Sequence, residues 1–415
     1  MRKTTRIAAA LAAVALAAAC GTTENKGGSS GSGSDGVTDT SIKVGGVLVK
    51  TSATGYSTGG AELGAKARFE RANAEGGVNG RKIDFVGAED DNMDPAKGTT
   101  VATKLVQKDK VFALVPVSSP QFGGAAFLEQ QNVPWFGWAT GTQWCGTKTG
   151  FGYNGCLAPK PGAGTQTWWG NQVAAQIGGA DGKSAFIQGT DSSASKYGVG
   201  TIGQSFSAAG FKLAGTSAAI PATAPPQDWL PYVNKIMKAN DGKAPDVVVS
   251  IMAGAKLNAG LFGALRKAGY KGAISDATSY DPSVLADPAI KAGLEGVLTA
   301  PQFEPFESDA KEVVQMKADI QKVDPSAKLT QHVAIGYWTA DIFLKVAEKA
   351  GKDLTRTSFL TAASTFTYEN PGFGKIDYPK DKTEPNGCGA LVQLKDGQFV
   401  VAQHLKCTDN VALKQ

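Results

Sequence analysis

The sequence predicts an α/β fold of two parallel-sheet lobes, and three observations carry that expectation. Short β-rich runs alternate with helical runs, the pattern from which parallel sheets are built. The alternation comes in two series, parted at Pro159-Lys160-Pro161-Gly162. The body that follows the N-terminal segment has about 375 residues, which at roughly 100 to 200 residues per domain suits two domains.

The chain opens MRKTTRIAAALAAVALAAAC. Arg2, Lys3 and Arg6 precede an apolar run, Ile7 to Ala19, that is too short for a bilayer span of roughly 20 apolar residues. Residues 1–19 therefore read as an export signal, and the segment resembles that of bacterial lipoproteins, which would place a lipid on Cys20. Such signals usually carry an aliphatic residue three before the cysteine. Here Ala17 stands there and Leu16 one earlier, which leaves ordinary cleavage after Ala19 open. Cysteine number favours the lipid. The chain has 5 cysteines, an odd count in an oxidising compartment, and a thioether on Cys20 leaves four to pair. Cys145 and Cys156 share one Gly-rich loop. Cys388 and Cys407 flank Lys395-Asp396-Gly397-Gln398, a hairpin turn that would set them face to face. Two local disulfides are expected, against four free structural thiols.

Gly21 to Gly36 is dominated by Gly and Ser and as a flexible chain has a reach of about 20 to 25 Å, so residues 20–40 read as the lipidated cysteine and its tether. The expected location is outside the cytoplasm, anchored to the outer face of the cytoplasmic membrane through Cys20 alone. With the leader's three positive charges set aside, the chain is near neutral and its charges are interspersed, which excludes nucleic acid as a partner.

In the first series, Ser41 to Val49 reads as a strand and Ala61 to Ala74 as a helix stopped by Gly76-Gly77. Lys82 to Ala88 is a strand, Asp94-Pro95 the cap and first residue of a helix to Gln107, and Val111 to Val117 a strand. Ser118-Ser119-Pro120 reads as the start of a helix Gln121 to Gln131, followed by strand Val133 to Trp138. The second series runs strand Ser184 to Gln188, helix Gly198 to Ala209, strand Asp246 to Met252, helix Ala255 to Ala268 and strand Gly272 to Ser275. Val333 to Lys349 has amphipathic helical spacing.

The stretch GAKARFERANAEGGVNGRKIDFV from Gly64, then EDDNMDP and VATKLVQKDKVFALV, resembles the leucine/isoleucine/valine-binding branch of the type I periplasmic solute-binding proteins. The resemblance implies two doubly wound parallel-sheet lobes joined by three hinge segments, placed at Pro159 to Gly164, Leu298 to Pro301 and about Gly372 to Asp377. It implies lobe 1 as 41–160 with 301–372 and lobe 2 as 161–300 with 373–415. It further implies a monomer that closes on a small solute and hands it to an ABC permease and ATPase. An extracellular module that senses the solute and signals to a membrane partner is the alternative.

Residue chemistry and the resemblance converge on a first-lobe site. A helix start at Ser118 and Ser119, at the carboxyl end of a parallel sheet, offers free N–H groups and hydroxyls to a carboxylate. The family's second carboxylate segment falls on Ala139 with Thr140 or Thr142. Trp138 reads as cavity wall or core, and Tyr56 lies near the family's aromatic contact. On the second lobe, Tyr197-Gly198 matches a family helix start that faces the cleft, and Tyr280 and Thr278 are candidate contacts. Thr278 stands where the amino-acid binders place the acid that neutralises the ligand ammonium. Neither Asp276 nor Asp281 aligns with that acid. A binder without it should disfavour free amino acids. A branched-chain amino acid and a non-amino carboxylate, amide or aromatic solute both stay open.

Other motifs lack their context. Gly198 to Gly203 fits GxGxxG but stands about ten residues past its strand, and Gly178 to Ser184 mimics a phosphate loop but precedes its strand. Glu89 to Asp94 has calcium-like acid spacing without the required Gly. No cofactor or metal is expected. With only His332 and His404 and no GxSxG elbow, no catalytic triad is indicated, and an enzyme is not expected.

Overall fold

The computed structural model describes residues 34–414. The signal peptide, Cys20 and most of the expected tether lie outside them. Ordered structure begins before Ser41: Ser34 Oγ accepts from Arg356 N, and the Gly36 carbonyl accepts from Lys43 N.

Strands β1 (Ser41–Leu48), β2 (Lys82–Asp90), β3 (Ala113–Ser118), β4 (Trp135–Gly137) and β5 (Gly150–Gly152) form an all-parallel sheet in the order β2-β1-β3-β4-β5. β3, β4 and most of β1 are buried on both faces, so they read as largely unbroken apolar runs, whereas the edge strand β2 is mostly exposed or half-buried. Ala113 and Val115 pack on one face with Phe69, Phe343 and Phe359. Leu114 and Val117 pack on the other with Val101, Leu105 and Leu128. The helices Gly60–Ala74 and Gln331–Ala350 touch through glycine: a Cβ on Gly64 would lie 1.9 Å from the Val333 carbonyl oxygen, and one on Gly336 2.0 Å from that of Ala61.

The short strand β6 (Gly164–Thr165) follows the first passage between lobes. The second sheet is built from β7 (Ser184–Thr190), β8 (Lys212–Ile220), β9 (Val247–Ser250), β10 (Ala273–Asp276) and β11 (Leu298–Thr299), all parallel. A hairpin β12 (Thr367–Asn370) and β13 (Gly374–Asp377) stands apart. The antiparallel hairpin β14 (Cys388–Lys395) and β15 (Gln398–Cys407) joins the second sheet at β11, giving the order β15-β14-β11-β10-β9-β7-β8. A last strand, β16 (Val411–Ala412), pairs with β6. The second sheet is thus parallel with an antiparallel edge.

Both disulfides form as the cysteine spacing predicts, Cys145 with Cys156 and Cys388 with Cys407. Cys388 and Cys407 are register partners across β14 and β15, and Asp396 and Gly397 take the positive φ of a tight hairpin turn.

Three elements differ from the sequence reading. The helix expected from Gln121 is Ala125–Gln130, because Gly123 and Gly124 precede it and glycine costs about 1 kcal/mol in a helix. The helix expected from Gly198 starts at Ser193, where Ser192 Oγ accepts from Ser195 N as its cap. The Gly372-to-Asp377 segment is the turn and second strand of a hairpin, not a crossover. Beyond it Tyr378 packs on Phe136 and Phe151, and Lys382 Nζ sits 3.7 Å from the centre of the Phe151 ring. The chain leaves the first sheet only after Lys382.

Candidate functional site

In an open α/β sheet, the loops that leave the carboxyl ends of the strands face one crevice. Here both sheets point those ends at each other, and a cavity of about 160 Å³ lies between them. That is close to the volume, on the order of 150 Å³, that accepts a benzene ring in an engineered protein core. Tyr56 follows β1, Gln121 follows β3, and Trp138 and Thr140 follow β4. From the other sheet come Ser192 and Ser195 after β7, Ile251 after β9, Thr278 after β10 and Gln302 after β11. Gln166, Trp168 and Trp169 close the hinge side.

None of the described residues that line the cavity carries a charge. Its free polar groups are mostly donors. Gln302 Oε1 accepts from Trp138 Nε1 and from Asn154 Nδ2, both at 3.0 Å, so its carboxamide N–H groups have no protein partner among the described residues. Gln166, 4 % exposed, accepts from Trp169 N through Oε1 at 3.2 Å and is left in the same state. The hydroxyls of Thr140 and Tyr56 are buried without partners. Trp169 is fixed by its indole N–H, which donates to Ser275 Oγ at 2.8 Å.

Of the residues singled out in the sequence, Tyr56, Trp138, Thr140 and Thr278 line this cavity. The Thr278 hydroxyl is spent on structure: it donates to the Met252 carbonyl at 2.7 Å and accepts from Gly254 N and Asn258 Nδ2. Ser118 and Ser119 are fully buried, their hydroxyls unpaired, but they lie outside the lining. The delayed helix start removes the capping role that was to aim them at the cleft. Both backbone groups of Ala139 are used, the N–H on Asn154 Oδ1 and the carbonyl on Leu157 N, and Thr142 is exposed in a short turn.

Tyr197 is turned away: its hydroxyl donates to the Pro159 carbonyl in the first crossover, because the helix begins a turn earlier than expected. Tyr280 is core. It stacks on Phe303 with 6.1 Å between centroids, and its hydroxyl donates to the Glu307 carboxylate. The neighbouring acids are engaged elsewhere. Asp276 is buried off the cavity and accepts from the Ser279 hydroxyl, its pKa pushed up to about 6 by desolvation. Asp281 caps the next turn through Ser283 N.

Sequence reasoning missed Gln166 and Gln302 as site residues. Each follows a crossover, and a glutamine after a hinge carries no periodic or motif signal. His332, the second residue of the helix Gln331–Ala350, is wedged behind the cavity wall, 5.5 Å from the ring centres of both Tyr56 and Trp138. Burial pushes its imidazole pKa down to about 3, so it is neutral.

A family model described as "Periplasmic binding protein" matches residues 41–398. Comparison with curated proteins gives no match. Among solved structures, the chain is similar to a fatty acid ABC transporter substrate-binding protein from Thermomonospora curvata, at 20 % identity and a TM-score of 0.71, covering 91 % of this chain and 95 % of that one. It is similar to an ABC transporter solute-binding protein from R. palustris in complex with benzoate, at 17 % identity and TM-score 0.69, covering 90 % and 100 %. A branched-chain amino acid transporter substrate-binding protein from Streptococcus pneumoniae, in complex with isoleucine, matches at 17 % identity and TM-score 0.68, covering 89 % and 100 %.

Proposed function

The chain belongs to the periplasmic binding protein family, a family of solute-binding proteins, and on that premise we propose that it is the extracytoplasmic receptor of an ABC importer, closing two lobes on a small carboxylate that carries no ammonium. The lobes in this reading are 34–160 with 301–382 and 161–300 with 388–414. The uncharged lining of the cavity between them supports the solute class. An ammonium buried there has no carboxylate partner and costs several kcal/mol. A carboxylate can be held by neutral donors, as buried anions often are, and the N–H groups of Gln302 and Gln166 with the Thr140 hydroxyl supply three. Trp138, Trp168, Trp169 and Tyr56 provide flat apolar area for the rest of the molecule. Closure requires only that the solute bind the closed state better than the open one. Relatives bound to benzoate or named for fatty acids agree with this class; the isoleucine-bound relative marks the competing one.

A thermal-shift panel tests the reading. Benzoate, phenylpropanoate or octanoate should raise the melting temperature, since a ligand at 100 times its Kd adds about 2.7 kcal/mol. Leucine, isoleucine and valine should raise it little. Micromolar binding of leucine and none of the acids would reverse the assignment.

Cys20 is the lipid attachment point in this proposal. Labelled palmitate should enter the wild-type protein in its host and not a Cys20→Ser variant. Equal labelling of the two would end the lipoprotein reading.

A further inference from the structure

Behind Tyr56, between the same lobes, lies a second chamber of about 50 Å³. Tyr56, Leu257 and Thr278 line both spaces, so the Tyr56 ring is a partition between them. Gln331 and His332, the first residues of the helix Gln331–Ala350, line the inner side, 2 % and 6 % exposed. Gln331 Oε1, His332 Nδ1 and the Tyr56 hydroxyl are all buried without a hydrogen-bond partner.

Their chemistry is the reverse of the main cavity's. Gln331 Oε1 can only accept. A neutral imidazole with its hydrogen on Nε2 also presents a lone pair at Nδ1. The single hydrogen of the Tyr56 hydroxyl can serve one of these acceptors and not both, so at least one waits for a donor from outside the protein. Asp281 and Lys256 line the same chamber, and Asp281 Oδ1 accepts from Ser283 N at 2.8 Å and Ser283 Oγ at 2.5 Å. Against Gln331 and His332 the free groups are neutral acceptors, which a hydroxyl can satisfy without the hydration cost of burying a charge, whereas an ammonium would bear that cost.

We propose that the solute is bipolar, with an acceptor head on the amide donors of the main cavity and an uncharged hydroxyl at its far end, donated past Tyr56 to whichever of Gln331 Oε1 and His332 Nδ1 the Tyr56 hydroxyl leaves unserved. This rests on the receptor reading above and names the solute more closely.

Titration calorimetry on the mature chain tests it with matched pairs: benzoate against para-hydroxybenzoate, and phenylpropanoate against its para-hydroxy derivative. In at least one pair the hydroxyl should tighten binding by roughly tenfold, the worth of one buried hydrogen bond. The para-methoxy analogue, with the same reach and no donor, should lose that gain. In at least one of His332→Phe, which keeps the aromatic wedge, and Gln331→Leu, the affinity ratio within the pair should collapse toward one, whatever happens to absolute affinity. If neither acid of either pair binds, the receptor's solute class falls and this inference with it. If the acids bind with no gain from the hydroxyl, or the gain survives both variants, water fills the chamber and only this inference is overturned. A para-aminomethyl analogue that outbinds the hydroxyl form would overturn the requirement for an uncharged donor.

Discussion

Glutamate in place of Gln302 is expected to abolish binding of the carboxylate solute. The substitution is nearly isosteric. One carboxylate oxygen can keep the bonds that Gln302 Oε1 accepts from Trp138 Nε1 and Asn154 Nδ2, so the hinge should stay intact. The other oxygen replaces a free N–H donor in a cavity lined by no cation. Loss of a hydrogen bond to a charged group costs about 1.5 to 3 kcal/mol, and like charges about 4 Å apart repel by about 4 kcal/mol at an effective dielectric of 20. At about 1.4 kcal/mol per decade, affinity should fall by roughly a thousandfold or more. Calorimetry at pH 8 with the best acid of the panel is the measurement. The introduced carboxyl titrates with a raised pKa, so binding should return as the pH falls through that value and the group becomes neutral. Affinity within tenfold of wild type at pH 8 would remove Gln302 from the site.

Truncation of Asp341 to alanine should cause the largest loss of stability. Arg68 Nε lies 2.7 Å from Asp341 Oδ1, with the two side chains 8 % and 6 % exposed, and the Tyr368 hydroxyl donates to Oδ2 at 2.9 Å. Removing the acid leaves a guanidinium buried between the helices Gly60–Ala74 and Gln331–Ala350 without a counter-charge, which costs about 3 to 5 kcal/mol. The exposed pair Lys212–Asp241, 60 % and 86 % exposed, is the contrast: Lys212→Ala should barely move the urea midpoint. A midpoint for Asp341→Ala equal to that of Lys212→Ala would show that the buried pair does not hold these helices together.

The distinction between those pairs is not visible in the sequence, where Arg68 and Asp341 are two charges 273 positions apart. Most of the sheet framework is visible. Ser41 to Leu48, the run around Val247 to Ser250 and the Cys388–Cys407 hairpin follow from local composition, turn residues and cysteine pairing, all set by neighbours in the chain. Two of the errors share one cause. Ser118-Ser119-Pro120 has the chemistry of a helix start, and Tyr197-Gly198 looks like one by resemblance, yet helix boundaries are decided by which turn first finds a cap and a packing surface. A shift of one turn was enough to send the Tyr197 hydroxyl to Pro159 instead of the cavity.

The sequence by itself determined the α/β class, the two local disulfides, and the placement of Tyr56, Trp138 and Thr140 just after the carboxyl ends of first-sheet strands. Each depends on residues close in the chain or on a strand-end rule that holds wherever parallel sheets form. Only the tertiary structure decided that the described lining of the cavity is uncharged, that its free polar groups include the amides of Gln166 and Gln302, and that His332 stands neutral behind Tyr56. Those properties come from side chains brought together across two lobes. The free lone pairs and hydrogens that select a solute are whatever packing leaves over, and that remainder has no local signature.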